Sequence, residues 1–149
     1  MTTKRIMPTT YLLIAILAMI AIHFLFPLAM IVPPGWNLLG LLPLALGVVI
    51  NLAADEAFRR AKTTVKPFEE SSVLVQSGVF RISRNPMYLG FVLSLIGIAV
   101  LLRSLSPYLL ILAFVILIQT LYITVEERML GEKFGARWQD YKRTTRRWL

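Results

Sequence analysis

The sequence predicts an all-α integral membrane protein with four transmembrane helices arranged in two hairpins. The chain has 149 residues, of which 57% are hydrophobic and 16% are charged, and its mean hydropathy is +0.70. Soluble domains average about 45–50% apolar and about 25% charged residues, so this composition indicates a chain in contact with lipid. Long uncharged stretches and a one-sided distribution of basic residues support the same conclusion. The length fits a single domain, residues 1–149.

Four apolar stretches are the predicted spans, at about residues 11–32, 36–54, 87–102 and 107–125. A helix needs about 20 apolar residues to cross about 30 Å of hydrocarbon. The first, second and fourth stretches reach that length. The third is short, and it would borrow flanking residues or thin the bilayer locally. Short turns at 33–35 and 103–106 would close the two hairpins.

The basic residues give the orientation of these spans. Fifteen of the sixteen Lys and Arg residues fall on one side of a four-span topology, and only Arg103 falls on the other. The positive-inside rule then places both termini and the 55–86 loop in the cytoplasm. Anionic headgroups attract each such residue by about 1 kcal/mol. The formal net charge of +8 is therefore explained by the lipid bilayer as partner, and nucleic acid binding is not predicted.

Several kinds of chemistry are excluded or disfavoured by composition. No cysteine is present, which excludes disulfides, thiolate metal sites and cysteine nucleophiles. A single histidine, His23, and the lack of a His/Asp/Glu cluster argue against a metal site. No Gly-x-Gly pattern follows a predicted strand, so no Rossmann-type domain is expected. The N-terminal apolar run is longer than a signal-peptide core, and we expect it to be retained as an anchor.

Residues 81–90 (RISRNPMYLG) place charged, turn-forming residues directly before the third span. Glu126 and Glu127 follow the fourth span. Because these spans would form one hairpin, Arg81 and Arg84 should meet the two glutamates on one membrane face, where either arginine could pair with either glutamate. Alternatively, the glutamates only mark the solvated end of the span. The pattern predicts a polar site at a lipid boundary, suited to chemistry on a lipid-like substrate.

The two other cytoplasmic segments have distinct patterns. Residues 55–62 are predicted to continue the second helix, which Pro67 then breaks, and 73–75 could be extended. Near the C-terminus, apolar residues recur with helical spacing at Leu130, Phe134, Trp138, Tyr141 and Trp148. They predict an amphipathic helix with a basic opposite face. It would be either a surface anchor or a lid over the site.

The run 74–90 resembles the signature of isoprenylcysteine carboxyl methyltransferases and their bacterial relatives. It contains Leu-Val, then Gly-x-aromatic, then Arg-Asn-Pro-x-Tyr-x-Gly at the start of a helical hairpin. Glu126-Glu127, Phe134-Gly135 and Tyr141 follow in the same order. Phospholipid N-methyltransferases resemble this layout as well. The likeness covers about residues 65–149 and implies a bacterial or archaeal inner membrane.

The resemblance implies S-adenosylmethionine as methyl donor, S-adenosylhomocysteine as product, and a cytoplasmic pocket formed by the loop and the C-terminal helix. By residue-wise carry-over, the donor would contact Ser72, Val73, Leu74, Val75, Phe80, Asn85, Pro86, Met87, Tyr88 and Glu127. The implied catalytic residues are Glu126, Arg84 and Tyr122. The acceptor would be a lipophilic small molecule or a lipidated molecule that enters from the bilayer.

Three positions depart from the prenylcysteine enzymes. Asn85 and Ser72 stand where histidine is usual, and Tyr122 replaces an arginine that would grip a substrate carboxylate. Glu126 could serve as a base or hold an ammonium group. Four interpretations follow: a methyltransferase like the prenylcysteine enzymes, a phospholipid N-methyltransferase, a small-thiol or fatty-acid methyltransferase, and a non-catalytic scaffold.

Overall fold

The computed structural model describes residues 6–63 and 72–149, and its regular elements are helices. In chain order these are α1 (Pro8–Leu25), α2 (Leu41–Arg60), α3 (Pro86–Leu102), α4 (Ser106–Ile118), α5 (Thr124–Phe134) and α6 (Ala136–Thr144). Short 3-10 helices precede α2 (Trp36–Gly40) and α3 (Gly78–Arg81), and a π-helix (Gln119–Ile123) joins α4 to α5. The predicted break at Pro67 and the start of the family-like region, 65–71, lie outside the described residues.

Three helical stretches of the described chain are long and apolar enough to cross a membrane. They are Pro8–Leu25, Trp36–Arg60 and Ser106–Phe134. Helix α3 is apolar too, but its 17 residues are shorter, about 26 Å at 1.5 Å per residue. Large hydrophobic side chains such as Leu13 on α1 and Leu46 on α2 are exposed, as lipid-facing residues are. The fold is therefore that of an all-α integral membrane protein.

Helix α1 ends earlier than predicted. The expected span of 11–32 is wrong at its C-terminal end, because the helix begins at Pro8 and stops at Leu25. Phe26 has φ −146° and ψ 72° and precedes Pro27. A proline disfavours the α conformation in the residue before it, which accounts for the stop.

The chain after α1 pairs with the loop between α3 and α4 before it turns at Pro34 and Gly35, within the predicted turn 33–35. The Arg103 carbonyl accepts a hydrogen bond from the Ile31 amide at 2.9 Å. The Leu105 amide donates to the Ala29 carbonyl, also at 2.9 Å. These contacts tie the two connections of the membrane domain together.

Helices α2 and α3 approach so closely that glycine is required in both. A Cβ on Gly47 would lie 2.4 Å from the Gly90 carbonyl oxygen, and one on Gly97 would lie 2.6 Å from the Gly40 carbonyl oxygen. Small residues at such crossings let helix backbones touch in membranes. This contact fixes the start of α3, which carries much of the candidate site, against α2.

The C-terminal segment is not one amphipathic helix. Gly135, with φ +50°, separates α5 from α6, and Trp148 lies beyond the end of α6. Glycine adopts this left-handed backbone readily, so it ends the helical stripe there. Trp138 and Tyr141 fold back onto Leu74 and are buried. The predicted stripe thus packs within the protein, and the expectation of a single surface helix is wrong.

Candidate active site

A cavity of about 140 Å³ lies where the start of α3 meets α5 and the N-terminal end of α1. Seven predicted site residues line it: Phe80, Arg84, Asn85, Pro86, Met87, Tyr88 and Glu126. Five lining residues were not predicted: Met7, Pro8, Thr9, Phe58 and Phe91. A carboxylate, a guanidinium and an amide therefore share a wall that is otherwise mostly apolar.

The turn before α3 is built by two residues of the run 81–90, Asn85 and Pro86. Asn85 has non-helical φ −127° and ψ 57° at the N-cap, and Pro86 occupies the first helical position. Proline suits that position because its missing N–H would have had no helical partner. The Asn85 side-chain amide donates to the Arg147 carbonyl at 3.1 Å. Arg147, near the C-terminus, thus stabilises this turn, and the turn places Tyr88 on the first turn of α3.

Tyr88 and Glu126 form the hydrogen-bonded pair of the cavity. The Tyr88 hydroxyl donates to Oε1 of Glu126 at 2.7 Å. The Tyr122 ring lies 6.3 Å from the Tyr88 ring between centroids, so Tyr122 adjoins the pair without lining the cavity. Tyr122 belongs to the π-helix, a distortion that is frequent at functional sites. Its hydroxyl donates to the Ile6 carbonyl.

Glu127 forms an ionic cluster with Arg84 and Arg147 beside the cavity. One oxygen lies 2.9 Å from Nη2 of Arg84, and the other lies 2.6 Å from Nη2 of Arg147. The side chains of Arg84 and Glu127 are 7% and 10% exposed. The hydrogen bonds to Glu127 raise the pKa of Arg147 above its ordinary value. The Arg84–Glu127 pair confirms one of the pairings predicted from sequence.

Residues 142–148, which run from the last turn of α6 toward the C-terminus, form what we call the C-terminal strap. The Thr145 carbonyl accepts from Nη1 of Arg84 at 2.7 Å, and the Arg146 carbonyl accepts from the Arg84 amide at 2.9 Å. The Nε atom of Arg84 is buried and has no hydrogen-bond partner among residues 6–63 and 72–149. The strap thus holds Arg84 at the cavity wall and leaves one donor unused.

Tyr141 links α6 to Phe80, the residue just before the run 81–90. Its hydroxyl donates to the Phe80 carbonyl at 2.5 Å. Burial raises the pKa of Tyr141 to about 12, so the hydroxyl stays neutral and keeps donating over the physiological range. Phe80 itself lines the cavity.

The other predicted donor-contact residues do not line the cavity. Val75 is buried in a cluster with Phe80, and Leu74 is buried against Trp138. Ser72 and Val73 are exposed. Donor contacts through these four residues and Glu127 stay predictions, as do the catalytic roles of Glu126, Arg84 and Tyr122.

Among the lining residues that were missed, two have a sequence signal. Phe58 is the large aromatic residue within the charged stretch 55–62, and Phe91 follows Met87 by one turn of α3. Residues 7–9 have none, because their place at the cavity comes from long-range packing. The bond from Tyr122 to Ile6, for example, joins residues 116 positions apart.

The chain is similar to known membrane methyltransferases. The model of the family described as phospholipid methyltransferase matches residues 36–137. The Protein-S-isoprenylcysteine O-methyltransferase of Saccharomyces cerevisiae is 40% identical over 95 residues, which cover 60% of this chain and 36% of the yeast protein. The aligned part thus spans about a third of that relative. Helix α1 lies outside the residues that the family model matches.

Proposed function

Because the chain belongs to the phospholipid methyltransferase family, we propose that it transfers a methyl group from S-adenosylmethionine to a hydrophobic or amphipathic acceptor in the membrane. One observation supports this most strongly. A single cavity combines the Tyr88–Glu126 pair, the buried side chain of Arg84 and aromatic walls at the edge of the apolar helices.

The cavity residues fit the donor in charge and shape. S-adenosylmethionine carries an aromatic base, a carboxylate and two positive groups. The Phe80 ring offers apolar surface for the base. The unpartnered Nε of Arg84 suits a carboxylate oxygen, and the Glu126 carboxylate has the sign that a cation requires. When bound, the donor supplies a methyl group on a positively charged sulfur.

The chain's own residues align the reactants and manage charge. An in-line displacement mainly requires aligned reactants and a nucleophile shielded from water. The apolar walls exclude water, and the packed start of α3 keeps the cavity residues in fixed positions. The Tyr88 hydroxyl fixes the orientation of the Glu126 carboxylate. Glu126 then either accepts a proton from an amine acceptor or holds an ammonium group beside the cavity.

We also propose that α3 is a fourth span and that both termini face the cytoplasm. Its 17 residues reach the lower end of the spanning range of about 17–25 residues. Its glycine contacts with α2 supply the close packing that a short span needs. In this topology the cavity faces the cytoplasm for the donor, and the acceptor enters from the bilayer.

The experiment is methyl transfer from labelled S-adenosylmethionine to a native lipid extract by the detergent-purified protein. We expect label in the lipid fraction and a loss of about a hundredfold in Glu126→Gln, the usual range for removing an acid–base group. Glu132→Gln is the matched control, because Glu132 is an exposed carboxylate on the same helix, α5.

Two results would contradict the proposal at different points. A wild-type protein that shows no thermal shift with S-adenosylhomocysteine does not bind the donor. Full activity in Glu126→Gln removes Glu126 from the reaction but leaves the donor site in place. Treating the labelled products with alkali distinguishes the two acceptors, because a methyl ester formed on a carboxylate releases labelled methanol whereas a methyl group on an amine stays bound.

A further inference from the structure

The N-terminal end of α1 contributes a wall of the cavity although it lies outside the family-matched residues. Met7, Pro8 and Thr9 line the cavity, and we call these three residues the α1 wall. The preceding carbonyl, that of Ile6, accepts the hydrogen bond of the Tyr122 hydroxyl. Part of the cavity therefore comes from a segment that the family model does not match.

The α1 wall is connected to the carboxylate side of the cavity. Tyr122 contacts the Tyr11 ring of α1 edge-on, with 6.0 Å between centroids, and lies 6.3 Å from the Tyr88 ring. Tyr88 in turn donates to Glu126. By contrast, no hydrogen bond of the described chain joins residues 7–9 to the C-terminal strap. The wall thus belongs with the group that would face the acceptor.

We propose that the α1 wall, held in place by Tyr122, contacts the apolar chain of the acceptor and selects its length and shape. The inference rests on the proposed function and deepens it. Met7 offers a flexible thioether that adapts to an alkyl chain, and Pro8 offers a rigid apolar surface without an N–H. Phe58 and Phe91 continue the apolar lining beside them. Tyr122 acts as a positioning residue in this arrangement.

A photoreactive probe tests the wall directly without knowledge of the acceptor's head group. The probe is hexadecanol with a diazirine in its alkyl chain, used on the full-length protein loaded with S-adenosylhomocysteine. We expect adducts on residues 7–9 that excess hexadecanol competes away. Tyr122→Phe keeps the ring but loses the bond to Ile6. A net hydrogen bond is worth about 1 kcal/mol, so the competed adduct should fall about fivefold.

Met7→Trp supplies a second variant, because filling the cavity should abolish the competed adduct. Leu13→Trp is its matched control, since Leu13 is a lipid-facing residue of the same helix, 56% exposed. Tyr122→Phe and Leu13→Trp are also titrated with S-adenosylhomocysteine, and their affinity should stay within about twofold of wild type, because neither residue lines the cavity. Competed adducts that avoid residues 7–9, or that are unchanged in Tyr122→Phe and Met7→Trp, overturn the inference while donor binding stands. Loss of donor binding in the wild type overturns the proposed function instead.

Discussion

Replacing Glu127 with glutamine should destabilise the protein strongly, because this carboxylate neutralises a buried guanidinium. Arg84 and Glu127 are 7% and 10% exposed and lie 2.9 Å apart. Removing one partner of a buried ion pair costs about 3–5 kcal/mol, since the other charge stays buried without compensation. Arg147→Gln should cost only about 1 kcal/mol, because Arg147 is 37% exposed and Glu127 keeps Arg84.

Equilibrium unfolding in mixed micelles, followed by tryptophan fluorescence, measures these differences. Arg143→Gln is the control, since Arg143 and Asp140 are 82% and 75% exposed and 3.9 Å apart, and such pairs contribute about 0–1 kcal/mol. We expect the order Glu127→Gln, then Arg147→Gln, then Arg143→Gln in loss of free energy of unfolding. If Glu127→Gln matches the control within about 0.5 kcal/mol, the burial argument fails.

Three further results are expected. Gly47→Ala should lower the free energy of unfolding in the same micelles by about 1–3 kcal/mol, because the new Cβ would lie 2.4 Å from the Gly90 carbonyl oxygen; an unchanged value would refute the close contact. Burial raises the pKa of Tyr141 from 10.0 to about 12, so the stabilisation by its neutral form is complete below pH 10 and is lost as pH rises through 12. Tyr141→Phe should therefore show a weaker fall of the unfolding midpoint between pH 10 and 12, and an equal fall would contradict this. Tyr88→Phe should slow methyl transfer about tenfold, because it loses the bond to Glu126, and an unchanged initial rate would refute that role.

The sequence predicted the helical class and the turn before α3 because both depend on local rules. Backbone groups in lipid must be satisfied internally, so long apolar runs become helices. Asn85 and Pro86 start α3 because of their own conformational preferences. The family predicted from residues 74–90 and Glu126-Glu127 is confirmed by the match over 36–137.

Features that depend on long-range packing were not predictable in the same way. The C-terminal strap holds Arg84 through backbone carbonyls, such as that of Thr145, and a carbonyl has no sequence signature. The contact between Tyr122 and Ile6 joins distant parts of the chain for the same reason. The prediction of continuous helix through Pro27 and Gly135 was an error of a different kind. Proline and glycine both favour a helix end, but the apolar residues on either side of each were taken to continue the helix.

The most direct test of the account is calorimetric titration of S-adenosylhomocysteine into the purified protein and a cavity-filling variant. Met87→Trp replaces a linear side chain of the cavity wall with an indole ring. Leu109→Trp adds the same ring on the exposed face of α4, where Leu109 is 54% exposed. We expect one site per chain in the wild type and in Leu109→Trp, and a loss of binding in Met87→Trp. No binding in the wild type, or equal affinity in all three proteins, would contradict a donor site in this cavity.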